Sequence, residues 1–170
     1  MQKKPWQDYE VCRKCFSPQD ERAITYPRRS LEARDIMFVG QAPSFAKNLS
    51  KRRPVLDCSE GSNAAKLLCE ILRQLSYDPS GFYFTNLAKC SSLTQHKEGY
   101  PDRCFQFLQR EINEVKPKRI IALGRKVESF LKKKELPQLR FSYHPAYLLR
   151  HCITRQEYSQ QLQSAIKLAH

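Results

Sequence analysis

The chain has 170 residues, 41% of them hydrophobic, which suits one compact domain with its own core rather than two independent domains. Thirty Lys and Arg residues against seventeen Asp and Glu give a net charge of +13, spread along the chain, which favours nucleic acid as a partner. No stretch is apolar enough to insert into a membrane and no apolar run follows the basic N-terminus, so a cytoplasmic, monomeric protein without a signal peptide is expected.

The hydrophobic pattern predicts an alternation of short strands and amphipathic helices. Buried strands are expected at residues 35–40, 82–86, 119–124 and, more weakly, 140–143. Helices are expected at about 64–75, 101–115, 127–131 and 158–168. Such an order implies right-handed crossovers, and the predicted fold is therefore a single-domain, three-layer α/β/α structure with a mostly parallel four-stranded sheet.

Polar or small residues end or directly follow the predicted strands. They are Gln41, Asn86, Gly124 and His144. Because ligands of open parallel sheets bind in the crevice outside the carboxyl ends of the strands, these residues are expected to meet at one edge of the sheet. Two amides, a glycine and an imidazole at that edge predict an active site there.

Four of the seven cysteines fall into two pairs. Cys12 and Cys15 form a C-x-x-C motif, and Cys90 and Cys104 follow with thirteen residues between them. Four thiolates can hold either a cubane iron–sulfur cluster or a structural zinc ion. The wide second spacing favours the cluster over zinc, and unrelated buried cysteines are the third interpretation.

The other three cysteines have simpler interpretations. Cys69 lies on the apolar face of the first predicted helix and is assigned to the core, whereas Cys58 and Cys152 are expected to be free thiols. An odd number of cysteines in a reducing compartment argues against a disulfide framework.

Taken together, these motifs resemble the family 4 uracil-DNA glycosylases, small enzymes that carry a [4Fe-4S] cluster. The matching segments occur in the family's order: CRKC at 12–15, VGQAPS at 39–44, TNLAKC at 85–90, Cys104, PKRIIALG at 117–124 and YHPAYLLR at 143–150. The resemblance implies that residues 1–170 form one such domain, and that residues 1–30 are an N-terminal segment carrying two of the cluster cysteines.

The resemblance also assigns roles within the site. Cys12, Cys15, Cys90 and Cys104 would hold the cluster. Asn86 would read the flipped base, since its amide offers both a donor and an acceptor. His144 would stabilise the negative charge that develops on the departing base.

DNA contacts are implied around the same edge. The segment 147–150 would enter the minor groove, with one leucine filling the space of the flipped nucleotide, the other acting as buried support, and an arginine holding phosphate. The residues implied to touch DNA are Pro43, Ser44, Arg52, Arg53, Lys89, Tyr147, Leu148 and Arg150.

The first loop departs from the family pattern. Gln41 replaces a glutamate, so the residue can orient a water molecule but cannot act as a general base. Ser44 replaces a glycine, and Val55 stands where a phenylalanine should stack on the base, unless Phe45 supplies a ring. Ala42 and Val55 are expected to line the base pocket.

Three functions follow. The first is a monofunctional glycosylase that removes uracil from double- or single-stranded DNA and leaves an abasic site. The second is a glycosylase for another deaminated base or a larger, modified base, in foreign DNA for example. The third is a catalytically silent DNA-binding module of the same fold.

Overall fold

A computed structural model describes residues 12, 15, 23–26, 34–44, 52–56, 58–91 and 99–167 of the chain. The strands are β1 (Ala23–Tyr26), β2 (Ile36–Gly40), β3 (Arg52–Pro54), β4 (Tyr83–Asn86), β5 (Cys90–Ser91), β6 (Arg119–Leu123) and β7 (Leu139–Ser142). The helices are α1 (Asn63–Gln74), α2 (Tyr100–Val115), α3 (Arg125–Lys132), α4 (Ala146–Leu149) and α5 (Arg155–Ile166). None of the helices in the described part of the chain is long and apolar enough to cross a membrane.

The main sheet contains the four predicted strands in the order β4-β2-β6-β7. All three pairings are parallel, and the register places Gly40 beside Asn86 and Val39 beside Ala122. The prediction of a mostly parallel four-stranded sheet is therefore confirmed.

Side chains alternate between the two faces of the main sheet, and each face is covered by helices. On one face, Phe38 and Ile121 pack with α1 and α5. On the other face, Val39 and Ala122 pack with α2 and α3. The central strands β2 and β6 are buried throughout, as strands covered on both sides require. The three-layer α/β/α fold is confirmed.

The outer edge of β7 is held by one side chain from α5. Gln161 donates through Nε2 to the carbonyl oxygen of Phe141 and accepts, through Oε1, the N–H of Tyr143 at 3.2 Å. The strand is therefore fixed up to the residue before His144.

A second, small sheet was not predicted. It has the order β3-β1-β5, with β1 parallel to β3 and antiparallel to β5. Its strands are two to four residues long, too short to give a readable alternation in the sequence. This sheet brings Thr25 next to the end of β4.

The interpretation of Cys58 as a free thiol and Cys69 as a plain core residue is wrong. The two form a disulfide with their Cα atoms 5.7 Å apart. Cys69 does lie on the buried face of α1, but the turn that precedes the helix brings Cys58 back against it. Cys152 is exposed and takes part in no disulfide.

Candidate active site

A cleft of about 600 Å³ opens at the carboxyl ends of the main-sheet strands. Its walls come from the loop after β2, the residues after β3, the start of α1, the end of β4 and the turn after β7. Among the predicted site residues, those that line it are Gln41, Ala42, Pro43, Ser44, Val55, Asn86 and His144. The carboxyl ends of β2, β4 and β7 therefore meet at this cleft, the edge predicted to hold an active site.

Asn86 is buried at the end of β4, with 7% of its surface exposed. Its Nδ2 donates to Oγ1 of Thr25 at 3.0 Å. Its Oδ1 lies against Gly40, so closely that a methyl group at position 40 would overlap it. The amide is thus hydrogen-bonded to a residue of β1 and packed against a residue of β2, and Asn86 lines the cleft.

His144 lies in the turn between β7 and α4. Gly124, whose φ of +96° suits glycine, lies so close that a Cβ there would be 3.3 Å from that of His144. The backbone N–H of Ala146 donates to Nδ1 of His144 at 3.1 Å. Nδ1 is therefore the unprotonated nitrogen, and in the neutral ring Nε2 carries the proton.

The surroundings of His144 favour the neutral imidazole. Burial lowers the pKa of His144, and the positive charge of Arg150 lowers it further. A neutral ring with a proton on Nε2 can donate a hydrogen bond through that nitrogen. The cleft therefore holds a hydrogen-bond donor, His144, in addition to the amide of Asn86.

Gln41 follows β2 and is held by a residue that the sequence did not indicate. Its Nε2 donates to the hydroxyl of Tyr100, the first residue of α2, at 3.2 Å. No Asp or Glu is among the described residues that line the cleft. Gln41 at this wall can orient a water molecule but cannot act as a general base.

The apolar lining of the cleft has an aliphatic part, Val55 and Leu56, and an aromatic part, Phe38 and Phe84, which is called the floor. Val55 is half-buried and Leu56 is buried beside it. Across the floor, the rings of Phe84 and Phe38 stack with centroids 5.0 Å apart. Sequence reasoning missed Leu56 and Phe84 as cleft residues, although the alternation in β4 was a usable signal for Phe84. Phe45 lies outside the described residues.

The two leucines in the turn after His144 differ in exposure. Leu148 packs against the hydrophobic core, whereas Leu149 and Tyr147 are 45% and 37% exposed. Of the two leucines, Leu148 is half-buried and Leu149 faces outward, because a short helix turns adjacent residues about 100° apart, so Leu149 is the better placed for the predicted DNA contact. Arg150 is also exposed.

The predicted phosphate contact of Lys89 is wrong. Lys89 is 3% exposed and pairs with the fully buried Glu111 at 2.8 Å. Burial lowers the pKa of Lys89, and the carboxylate of Glu111 opposes that shift. The backbone of Arg52 and Arg53 lies in β3, and their contact with DNA stays a prediction.

The four cysteines of the two pairs are not disulfide-bonded. Cys15 and Cys90 pack together, and Cys15, Cys90 and Cys104 are buried. Burial raises the pKa of Cys104, and the thiols of Cys15 and Cys12 raise it as well, which places those thiols near it. Four neighbouring thiols are a donor set that fits an iron–sulfur cluster or zinc, although no three side chains in the described part of the chain form a ready ligand group.

These features define an α/β protein with a polar cleft at the carboxyl edge of a parallel sheet. Residues 29–166 match the family model of the uracil DNA glycosylase superfamily, and the chain belongs to this superfamily.

Several similar proteins share the name Type-4 uracil-DNA glycosylase. The chain is 29% identical to a Type-4 uracil-DNA glycosylase of Archaeoglobus fulgidus, over 71% of this chain and 58% of that protein. It is 30% identical to one of Sulfurisphaera tokodaii, over 67% and 50% of the two chains. For one of Thermotoga maritima the identity is 27%, over 82% and 78%. The chain thus spans about half the length of the first two relatives, 58% and 50%.

Proposed function

We propose that the chain is a monofunctional DNA glycosylase that flips uracil out of DNA and hydrolyses its N-glycosidic bond, leaving an abasic site. The observation that carries this proposal is the pairing of a fixed amide, Asn86, with a neutral imidazole, His144, in one cleft. The names of the relatives, Type-4 uracil-DNA glycosylases, support the same substrate.

Asn86 would select the base. Uracil presents an N–H donor and a carbonyl acceptor on its Watson–Crick edge, and the amide offers the complementary acceptor and donor. Because Nδ2 donates one hydrogen to Thr25, its second hydrogen is left for the base. Stacking of Phe84 on Phe38 gives the floor of the pocket a flat apolar surface.

His144 would stabilise the leaving group. Cleavage of the glycosidic bond leaves a sugar with oxocarbenium character and a base that carries negative charge. The proton on Nε2 of a neutral His144 can hydrogen-bond to the base oxygen on which that charge develops. The N–H of Ala146 fixes the ring for this task.

The attacking water would be oriented rather than deprotonated. Gln41, held by Tyr100, can hydrogen-bond a water molecule, and no carboxylate is among the described residues of the cleft. In this mechanism the described residues act mainly on the departing base rather than on the water.

Leu149, Tyr147 and Arg150 would contact the DNA. Their exposure on the turn after His144 suits a leucine that fills the gap in the base stack and an arginine that pairs with phosphate. The net charge of +13 would add sequence-independent attraction to the backbone. The intracellular location stays a prediction.

Cys12, Cys15, Cys90 and Cys104 would hold a [4Fe-4S] cluster, with zinc as the alternative. Bound there, the group would serve structurally by tying the N-terminal segment to β5 and α2. Protein purified without oxygen should be brown, with a visible absorbance that a reductant bleaches. Colourless protein with stoichiometric zinc would overturn the cluster.

The activity test uses duplex and single-stranded DNA containing uracil, hypoxanthine, xanthine or modified cytosines, followed by alkaline cleavage of abasic sites. Nicks at uracil support the proposed function, and His144→Ala should abolish them. DNA binding without nicks at any base would show a catalytically silent module instead.

A second candidate is a glycosylase for a larger or modified base. It is favoured by the aliphatic side chain of Val55, which widens the pocket where the family pattern has an aromatic ring. Nicks at a modified base with none at uracil would establish it.

A further inference from the structure

Lys89 and Glu111 form a buried ion pair next to the residue proposed to read the base. Lys89 is 3% exposed and Glu111 is fully buried. A lysine ammonium has three N–H groups, and three oxygens lie within reach: Oγ1 of Thr85 at 2.7 Å, the carbonyl of Asn86 at 2.7 Å and Oε2 of Glu111 at 2.8 Å. The charge is thus well compensated, and its three contacts join β4 to α2.

The contact with Asn86 matters because of the peptide group it involves. The N–H of that group, on Leu87, donates to the carbonyl of Gly40 in β2 at 2.8 Å. Its C=O, on Asn86, points the opposite way, since the described peptide bonds are trans. Among the described strands β4 is an outer strand of the main sheet, so none of them takes the carbonyl on that side within the sheet. The ammonium of Lys89 takes it instead.

Glu111 in turn fixes the ammonium. Its Oε2 also accepts the hydroxyl hydrogen of Thr85 at 2.6 Å. The carboxylate therefore bonds to both Thr85, which precedes Asn86, and the ammonium of Lys89, which binds the Asn86 carbonyl. Glu111 lies two turns after Cys104 on α2, and Lys89 directly precedes Cys90. The pair therefore lies between the base-reading strand and the cysteine-bearing segments.

We propose that the Lys89–Glu111 ion pair is a positioning device that clamps the Asn86–Leu87 peptide and so sets the orientation of the Asn86 amide toward the base. The inference rests on the proposed function, in which Asn86 reads the base. Lys89 is a positioning residue, not a catalytic one, because it is not among the residues that line the cleft but contacts Thr85 and Asn86, which are.

The test replaces the pair by an apolar pair, Lys89→Met/Glu111→Met, because exchanging both partners avoids leaving one charge buried alone. The matched control is Lys118→Met, which breaks an exposed ion pair with Asp35. The side chain of Lys118 is 67% exposed and that of Asp35 is 58% exposed. Thermal unfolding shows whether each variant is folded.

For the double variant, kcat for uracil excision should fall about 10- to 100-fold, as misplacement of a positioned group by about 1 Å does elsewhere. Inhibition by free uracil should weaken in parallel, while affinity for abasic DNA should stay within about twofold, since backbone contacts rather than base contacts dominate it. Lys118→Met should match the wild type. A folded double variant with wild-type kcat and wild-type inhibition by uracil would overturn the inference.

Hydrogen exchange of the Leu87 amide gives a readout that needs no activity. Exchange should be faster in the double variant than in Lys118→Met, and equal exchange would overturn the clamp. If the wild-type protein excised no base, the proposed function would fail. Exchange of the Leu87 amide would still show whether the ion pair holds the Asn86–Leu87 peptide. Should the double variant not fold, Thr85→Val decides in its place: faster exchange supports the clamp, and unchanged exchange overturns it.

Discussion

The side-chain oxygen of Asn86 lies directly over the Cα of Gly40, on the neighbouring strand of the main sheet. A side chain at position 40 and the observed position of the Asn86 amide exclude each other. The absence of a side chain at Gly40, the last residue of β2, therefore permits the observed position of the Asn86 amide.

Gly40→Ala should therefore impair base recognition more than folding. The added methyl group must push the Asn86 amide away, so kcat/KM for uracil excision should fall at least about 100-fold, as it does when a positioned group moves by about 1 Å. The matched control is Gly81→Ala, because a Cβ at Gly81 meets nothing within 4 Å. Equal kinetics of the two variants would contradict the role given to Gly40.

The pH profile of excision should reflect the neutral form of His144. Its pKa is lowered by burial and by Arg150, so the ring stays neutral as the pH falls past the ordinary histidine value of about 6.5. Activity should persist through that pH and decline only below the lowered pKa, where Nδ1 gains a proton and loses the bond from Ala146. The measurement is kcat between pH 4.5 and 8 (about the range in which histidine titrates).

Removal of the charge of Arg150 supplies the control for this profile. Arg150→Gln should move the acid limb of kcat to higher pH, because one cause of the lowered pKa is gone. An acid limb above the ordinary histidine pKa in the wild type, or one that moves down in Arg150→Gln, would contradict the assignment.

The two leucines after Tyr147 should separate function from stability. Leu149→Ala should reduce excision from duplex DNA about tenfold with little loss from single strands, because base flipping is costly only in the duplex. Leu148→Ala should instead lower the free energy of unfolding by about 2 kcal/mol, since Leu148 packs on the core. Duplex and single-strand kinetics with denaturant unfolding check both, and the reverse pattern would restore Leu148 as the DNA contact.

The Cys58–Cys69 disulfide should stabilise the wall of the cleft. It closes a loop with a sequence separation of 11, and Leu56 in the cleft wall lies just before Cys58. Cys58→Ser should lower the free energy of unfolding by about 3 kcal/mol. Cys152→Ser, at an exposed cysteine outside any disulfide, is the control. Equal unfolding of the two variants by denaturant would show that the disulfide does not form in solution.

Much of this architecture could be predicted because it depends on local patterns. The runs that form β2, β4 and β6 alternate with amphipathic helices, and that order alone places Gln41, Asn86 and His144 at one edge. The parallel arrangement of the main sheet, although not its strand order, could therefore be predicted from residues close together in the chain.

The remainder depends on contacts between distant residues, which a local pattern does not contain. From the sequence, Lys89 is simply a positive charge that could bind phosphate. In the structure it is buried because it pairs with Glu111, 22 residues away on α2. Thr25 reaches Asn86 over 61 residues, through a sheet whose strands are too short to predict. Tyr100 meets Gln41 over 59 residues and gives no signal of its own.

The side chain of Gln161 has a consequence for association of the protein with itself. β7 and β4 are the two outer strands of the main sheet, and outward-facing peptide groups of such strands are templates on which a strand from another molecule can add. Gln161 occupies the carbonyl of Phe141 and the N–H of Tyr143, and Lys89 occupies the carbonyl of Asn86 on the opposite edge. At these peptide groups each edge is already saturated, so a foreign strand would first have to displace an internal hydrogen bond, which makes edge-to-edge aggregation through them unfavourable.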